Sequence, residues 1–288
     1  MANLRDLRKR RKGAANTKKI TRTMELVSSA KLKRAQDAAT ASRPYAEGLQ
    51  GLVAELSAAS GGVSHPLLQR RAVKKVLILL ATSDRGLCGA YNANLVNTAM
   101  KRRVEHQAAG RQVEFITLAK KATGTLAYNG IKVQASYSGI IGATRYAQVE
   151  PIADDAIFRF LSQEYDQIEV VYSRFISAAR QAPEALVLLP AGGTTAAKTT
   201  GPRPDYEFIP EPEELLASLI PQTVKTALFS ALLQTTAGEH AARRAAMKNA
   251  SDAASDMVKS ISSAYNRGRQ GKITQEIAEI TGAVEAMA

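Results

Sequence analysis

Apolar and small residues recur at alternating steps of four and three near both ends of the 288-residue chain. Residues 2–57 are rich in alanine, leucine, lysine, arginine and glutamine, which favour helices. The recurring positions in this segment are Ile20, Met24, Val27, Lys31, Arg34, Ala38, Ala41, Tyr45, Gly48 and Leu52. This heptad spacing predicts a long helix with one side packed against another helix, although Lys31 and Arg34 interrupt the apolar seam.

The C-terminal segment, residues 213–288, carries the same spacing in two stretches. The first stretch is Val224, Leu228, Ala231, Thr235, Gly238, Ala242 and Ala245, and the second is Ile273, Ile277, Ile280, Val284 and Met287. We expect the two terminal helices to pair in antiparallel orientation, because helices of this length cannot bury themselves on a small domain. The alternative is two unrelated helices, each packed on that domain.

An α/β domain is predicted between the helices, in residues 73–190. The predicted strands are Val76–Ala81, Val113–Leu118, Ile131–Tyr137, Ile168–Phe175 and Ala185–Leu189. The predicted helices are Asn92–Gln107, Lys120–Tyr128 and Ala147–Ser162. This alternation indicates a partly parallel sheet, and one interpretation of the last two strands is a hairpin. Residues 191–212 form a connection whose prolines forbid a continuous helix.

The unequal lengths of the terminal helices leave one end unpaired. If Leu56 lies near Glu213, residue-for-residue pairing brings Met1 to about position 268, and residues 269–288 extend roughly 30 Å further at 1.5 Å per residue. Their apolar stripe would be exposed unless another protein surrounds it. The sequence therefore predicts a socket in another protein for the C-terminal tip.

Positive charge is concentrated at the N-terminus. The chain has 39 Lys+Arg against 26 Asp+Glu, a net charge of +13, and twelve of these bases lie in residues 1–34 beside only Asp6 and Glu25. Such an excess indicates nucleic acid, an anionic membrane surface or an acidic protein as partner, with a solvated face as the equal alternative. No apolar run approaches the length of a membrane span.

Candidate catalytic and ligand motifs are weak. The one cysteine, Cys88, excludes an internal disulfide, and three scattered histidines offer no metal-ligand spacing. The glycines of the segment 83–92 could cradle a phosphate, but without G-x-G-x-x-G a tight strand-to-helix turn is favoured. Gly268 and Gly271 before Lys272 have the wrong spacing for a P-loop. We expect no cofactor, no metal and no nucleotide site.

Four motifs in order resemble those of F-type ATP synthase γ subunits. They are ITRTMELVSSAK at 20–31, DRGLCG at 84–89, EHAARRAAMKNA at 239–250 and ITQEI at 273–277. The resemblance implies a long antiparallel two-helix coiled coil from the chain termini plus a central Rossmann-like α/β domain without a nucleotide site.

The resemblance also implies a function, the central rotor shaft of the F1 sector of a proton-translocating ATP synthase. Such a shaft couples c-ring rotation to sequential changes in the catalytic β subunits and has no catalytic site of its own. The implied partners are the α and β subunits of an α3β3 hexamer, the ε subunit and the c-ring, with no nucleic acid and no transmembrane segment. The implied location is peripheral, on the cytoplasmic face of a bacterial plasma membrane.

Several residues take roles from the matching motifs. The implied β-subunit contacts are Arg22, Met24, Arg269, Gln270 and Thr274; the apolar bearing is Ile277, Ile280 and Val284; the c-ring contacts are Tyr206 and Glu207. Gly268 and Gly271 depart from the family pattern, and we expect them to soften the shaft. The lack of a cysteine pair excludes a dithiol switch.

Two other classes of function remain as alternatives. A basic coiled-coil nucleic-acid binder would explain the charge, but not the apolar tip, and the chain lacks an aromatic stacking platform. A Rossmann-type enzyme with helical arms would require stoichiometric nucleotide binding.

Overall fold

The computed structural model describes residues 4–59, 65–191 and 212–287, and its elements follow the predicted order. The helices are α1 (Leu4–Ala59), α2 (Tyr91–Ala108), α3 (Lys120–Tyr128), α4 (Tyr146–Leu161) and α5 (Pro212–Met287), with a 3-10 turn at Pro66–Leu68. The strands are β1 (Lys75–Leu80), β2 (Gln112–Thr117), β3 (Val133–Ser136), β4 (Gln167–Phe175) and β5 (Gln181–Leu189). The predicted connection at 191–212 lies almost wholly outside the described residues.

The five strands form one sheet in the order β3-β2-β1-β4-β5. The first four strands are parallel, and β5 pairs antiparallel with β4, so the α/β fold and the hairpin are confirmed. β5 begins at Gln181, four residues before the predicted start at Ala185. The reason is Pro183, which argues against a central strand but is tolerated at the edge of a sheet, where no neighbour needs its missing N–H.

Residues 29–242 form one compact unit around this sheet, here called the central unit. β1 is buried from Val76 to Leu80, as expected for a parallel strand covered on both faces. Alternate β1 side chains join two apolar clusters, one with α4 and α5 and the other with α2 and α3. The sheet is therefore a core layer between helices.

α5 contains a stretch long and apolar enough, by length and composition alone, to cross a membrane. No uninterrupted apolar run marks this stretch in the sequence, because polar residues are interspersed along it. Leu216, Ile220, Val224, Leu228 and Leu232 of this helix are buried against the sheet and α4. This burial favours a core helix over a membrane-spanning one.

Residues 1–28 and 243–288 form the second compact unit, here called the terminal unit. Its two helical segments run antiparallel: the Lys18 ammonium donates to Ser255 Oγ at 3.0 Å, and the Arg11 guanidinium lies 5.1 Å from the centre of the Tyr265 ring. Most of the buried side chains of this unit are small and recur at heptad spacing, namely Ala14, Thr21 and Ser28 on α1, and Met247, Ser251 and Ala254 on α5; the larger Arg243 of α5 is also buried.

The predicted seam of α1 was wrong by one residue. Ile20 and Val27 are 60% and 51% exposed, and Tyr45 and Leu52 also face outward, whereas Thr21 is buried. Burial of Thr21 costs little because its hydroxyl donates to carbonyl oxygens of its own helix, those of Thr17 and Lys18. Small residues also let the two helices approach closely.

Within the central unit α1 and α5 also pack through positions at the same spacing. Leu32 and Ala35 of α1 pack with Ala237 and Ala241 of α5. On α5 the predicted positions from Val224 to Gly238 are buried, and only the last, Ala245, is exposed. The stripe on α5 was therefore predicted correctly over most of its length.

The corrected register predicts unequal effects of two leucine truncations on α1. Leu32→Ala should lower the free energy of unfolding by about 2–4 kcal/mol, because Leu32 is buried and a cavity would remain. Leu26→Ala, at an exposed position, should change it by less than about 0.5 kcal/mol. Urea unfolding followed by circular dichroism measures both, and equal losses would contradict the observed register.

Candidate partner-binding surfaces and the carboxyl edge of the sheet

The C-terminal part of α5 presents an apolar stripe to solvent. All side chains described between residues 266 and 287 are exposed. Ile273, Ile277, Ile280 and Val284 follow one another at steps of four and three along one helix face, and each is between 46 and 66% exposed. Exposure of this stripe was predicted, and it begins close to the predicted residue 269.

The polar residues of the same segment interact along the helix. Thr274 Oγ1 donates to the Gln270 carbonyl at 3.0 Å, and Gln275 Nε2 donates to Glu279 Oε1 at 2.9 Å. Arg269 and Gln270 are exposed one turn before the apolar stripe. The tip thus combines a polar collar with an apolar end, a layout suited to another protein's polar rim and apolar socket.

The proposed contact residues of α1 lie in a mixed environment. Met24 is half-buried, and Arg22 is exposed and pairs with Glu25 at 2.7 Å. The exposed apolar candidates on this helix are Ile20 and Val27, which the sequence prediction had assigned to the helix seam, and Leu26, which it had not. The small side chains of Thr21 and Ser28 were the available signal, because they mark the side of close helix approach.

Positive charge remains exposed on the N-terminal part of α1. In residues 4–28 nine bases stand beside two acids, and of these acids Asp6 pairs with Arg10 at 3.0 Å and Glu25 with Arg22. Lys9, Lys12 and Lys19 are exposed. This surface suits an acidic partner. The expected c-ring contacts, Tyr206 and Glu207, lie outside the described residues.

The DRGLCG segment is a turn that hydrogen bonds to neighbouring parts of the chain hold in place. The Asp84 carboxylate accepts from the Lys120 N–H at 2.9 Å and the Gly139 N–H at 2.8 Å. Ser83 Oγ donates to Asn92 Oδ1 at 2.9 Å. Gly89 has φ +59°, which a glycine adopts without strain. These contacts favour the structural turn over a phosphate cradle, because they fix the segment to the residues around it and the Asp84 carboxylate would repel an anion.

The carboxyl edge of the sheet is filled by α5. Open α/β sheets bind ligands in the crevice beyond the strand ends where strand order reverses, which here lies between β1 and β4. At this position the Tyr91 hydroxyl donates to the Thr235 carbonyl of α5 at 2.8 Å. Tyr91 opens α2 after β1, so a segment of the chain itself lies where a nucleotide would bind in a dinucleotide-binding domain.

The buried ionisable groups of the sheet are paired. Arg102 Nη2 donates to Glu169 Oε1 at 2.6 Å, and His106 Nε2 lies 3.1 Å from the same oxygen. Burial alone would raise the pKa of Glu169, but the hydrogen bonds and charges of Arg102 and His106 outweigh it and hold that pKa below its usual value. In the described part of the chain, no cluster of His, Cys, Asp and Glu could hold a metal ion. The Glu169 carboxylate of β4 therefore holds α2 on the sheet through Arg102 and His106.

Comparison with known sequences gives full-length matches. The family model described as ATP synthase matches residues 3–287. The ATP synthase gamma chain of Desulforamulus reducens is 38% identical over 289 residues, covering all of both chains. That of Flavobacterium johnsoniae is 40% identical over 288 residues, covering all of this chain and 99% of the relative.

Comparison with solved structures gives the same fold. A chain of the mitochondrial ATP synthase of Euglena gracilis, from an assembly described as OSCP/F1/c-ring, matches with a TM-score of 0.67 at 18% identity over 99% of this chain and 94% of that chain. A chain from the central stalk and c-ring of the Tetrahymena thermophila enzyme matches with a TM-score of 0.60 at 23% identity, covering 81% and 99%.

The two glycines before the tip should respond differently to alanine. A Cβ at Gly271 meets no atom within 4 Å, whereas one at Gly268 would lie 3.2 Å from Leu4 Cδ2. Gly271→Ala should therefore stabilise the local helix by about 1 kcal/mol and slow amide hydrogen exchange there about fivefold. Gly268→Ala should slow exchange less, because Leu4 must move. Equal slowing in both variants would contradict the Leu4 contact.

Proposed function

The chain belongs to the family of ATP synthase γ chains, and on this basis we propose that it works as the central rotor shaft of the F1 sector. It is a non-catalytic subunit of the ATP synthase complex. As the shaft turns, its asymmetric surface makes different contacts with each catalytic β subunit and so shifts that subunit between conformations. Rotation of the shaft thereby couples proton flow through the c-ring to ATP synthesis in the F1 sector.

The single observation that carries the proposal is the uncovered apolar stripe of the tip. Four β-branched apolar residues on one face of a helix are poorly tolerated in water, and their exposure in the chain alone points to burial in a partner. Ile277, Ile280 and Val284 would lie in the apolar bearing formed by the α and β subunits. Arg269, Gln270 and Thr274 would meet polar loops of β at its rim.

The α1 surface supplies the second set of contacts in this proposal. Arg22, Met24 and the exposed bases around them would face acidic segments of the β subunits. Ile20 and Val27 add apolar area beside them, which a purely electrostatic contact would not require. We further propose that the helix pair is a coiled coil, that the ε subunit and the c-ring bind elsewhere on the chain, and that the complex sits on the cytoplasmic face of a bacterial plasma membrane.

Reconstitution with purified α and β subunits tests the function. A mixture of α and β should form a stable assembly with steady ATPase activity only when this chain is added. An assembly that forms and hydrolyses ATP equally well without the chain would contradict the proposal, as would failure of the chain to join it. Salt-sensitive binding to DNA without assembly would favour the nucleic-acid alternative instead.

A pair of variants tests the role of the stripe. Ile277→Ser with Ile280→Ser should weaken the affinity for the α–β assembly at least about tenfold, because each isoleucine loses roughly 1.5–3 kcal/mol of burial. Glu276→Gln with Glu279→Gln changes the polar face of the same turns and should alter affinity less than about twofold. Affinity is measured from dissociation on dilution, and equal weakening by both pairs would contradict an apolar bearing.

A further inference from the structure

α5 is held at the carboxyl edge of the sheet by directional contacts that its apolar packing does not require. Thr235 Oγ1 accepts from the Ser173 N–H at 3.3 Å, and the Thr235 carbonyl accepts from the Tyr91 hydroxyl. One residue of α5 is thereby bonded both to the end of β4 and to the start of α2. Thr235 and Ser173 are buried, so water does not compete for these bonds.

Neighbouring residues of α5 extend the set to a third element. Thr236 Oγ1 lies 2.7 Å from Thr144 Oγ1 and accepts from the Gly142 N–H at 3.4 Å, both in the segment between β3 and α4. Gln234 Oε1 accepts from the N–H of Phe175, the last residue of β4, at 3.3 Å. Three consecutive residues of the helix are therefore bonded to groups on different sides of it.

Gly238 fits α5 against β4 one turn later. A Cβ at this position would lie 2.7 Å from Ser173 Oγ, 3.3 Å from Ser173 Cβ and 3.4 Å from Tyr91 Cε2. A larger side chain would therefore force the Ser173 hydroxyl to turn away and the helix and strand to separate slightly. A glycine inside a helix weakens it relative to alanine, and here the close approach to Ser173 accounts for its presence.

Apolar packing and hydrogen bonds resist different motions of a helix. Leu228 and Leu232 attach α5 to the sheet through apolar packing, whose driving force has no preferred direction. Hydrogen bonds weaken steeply when their angles change. Bonds to β4, α2 and the segment before α4 therefore oppose rotation of α5 relative to the sheet.

We propose that residues 234–238 of α5, held by Ser173, Tyr91 and Thr144, form the joint that transmits torque between the α/β domain and the shaft helix. This inference rests on the proposed rotor function and adds a defined role to the sheet. The crevice that binds a ligand in other α/β proteins binds the shaft itself, and the joint stays closed during rotation. The residues involved are positioning residues, because they reach no nucleotide.

A pair of introduced cysteines can weaken this joint in its reduced form and hold it closed in its oxidised form, within the same variant. The double variant Ser173→Cys with Gly238→Cys is made in a Cys88→Ser background, so that no third thiol is present. The expected separation of the two Cβ atoms, 3.3 Å, is close to the 3.5–4.5 Å of a disulfide. In the reduced form the new side chain at position 238 crowds position 173, and in the oxidised form the disulfide ties the helix to the strand.

The complete ATP synthase carrying the variant is assayed in membrane vesicles for protons pumped per ATP hydrolysed. We expect the reduced form to show a ratio at least twofold below that of the Cys88→Ser parent, and oxidation to restore it. A ratio that is unaffected by oxidation state and equal to the parent would overturn the torque role. Lower coupling in the oxidised form than in the reduced form would show that the joint must open.

A second variant covers the case in which the cysteine pair does not assemble. Thr235→Val keeps the shape of the side chain and removes the acceptor for the Ser173 N–H. The number of protons pumped per ATP hydrolysed should therefore fall. The ATPase rate of the α–β assembly should stay within about twofold of the parent. An unchanged ratio would overturn the inference. Loss of assembly with the unaltered chain would instead contradict the proposed function, which separates the two failures.

Discussion

Close approach of two helices along small side chains is the interaction on which the rest of this structure depends. In the terminal unit Ala14, Thr21 and Ser28 of α1 and Ser251 and Ala254 of α5 are buried, whereas Ile20, Leu26 and Val27 of α1 are turned outward. A helix pair of this kind leaves its larger apolar side chains available for partners. Small side chains bury little apolar area in each turn. The two helices must therefore pack over many turns to stay together.

The same constraint explains why different parts of α5 bury different kinds of side chain. Where the helix crosses the central unit, its leucines and isoleucines are buried in an ordinary core. In the terminal unit its buried residues include the small Ser251 and Ala254 beside the larger Arg243 and Met247, and from residue 266 onward every described side chain is exposed. An α/β fold usually keeps its carboxyl edge for a ligand. Here α5 takes that place, and the fold serves as an attachment for a helix.

Much of this architecture could be predicted from local patterns. β1, β2, β4 and α2–α4 were predicted within about two residues because apolar runs and turn residues mark their ends. The register of α1 could not be predicted in the same way, since Ile20, Met24 and Val27 repeat with the same period as the true seam at Thr21 and Ser28. Ranking positions by hydrophobicity chose the wrong stripe, because close helix packing favours small residues over large ones.

The candidate sites also differ in how far the sequence alone could predict them. The exposed tip followed from counting helix lengths, and the partner roles of Arg22, Met24, Arg269 and Gln270 remain predictions from the family resemblance. The contact of Gly238 with Ser173 joins positions 65 residues apart in the chain, and no local pattern reveals it.

The central claim is that this chain turns inside its complex, and direct observation of rotation tests it. A probe is attached to Tyr128→Cys in a Cys88→Ser background, at a position that is 91% exposed on α3, while the α and β subunits are fixed to a surface. The account predicts one-directional rotation of the probe during ATP hydrolysis, with three steps per turn for three catalytic subunits. A probe that stays fixed while the same molecules hydrolyse ATP would contradict it.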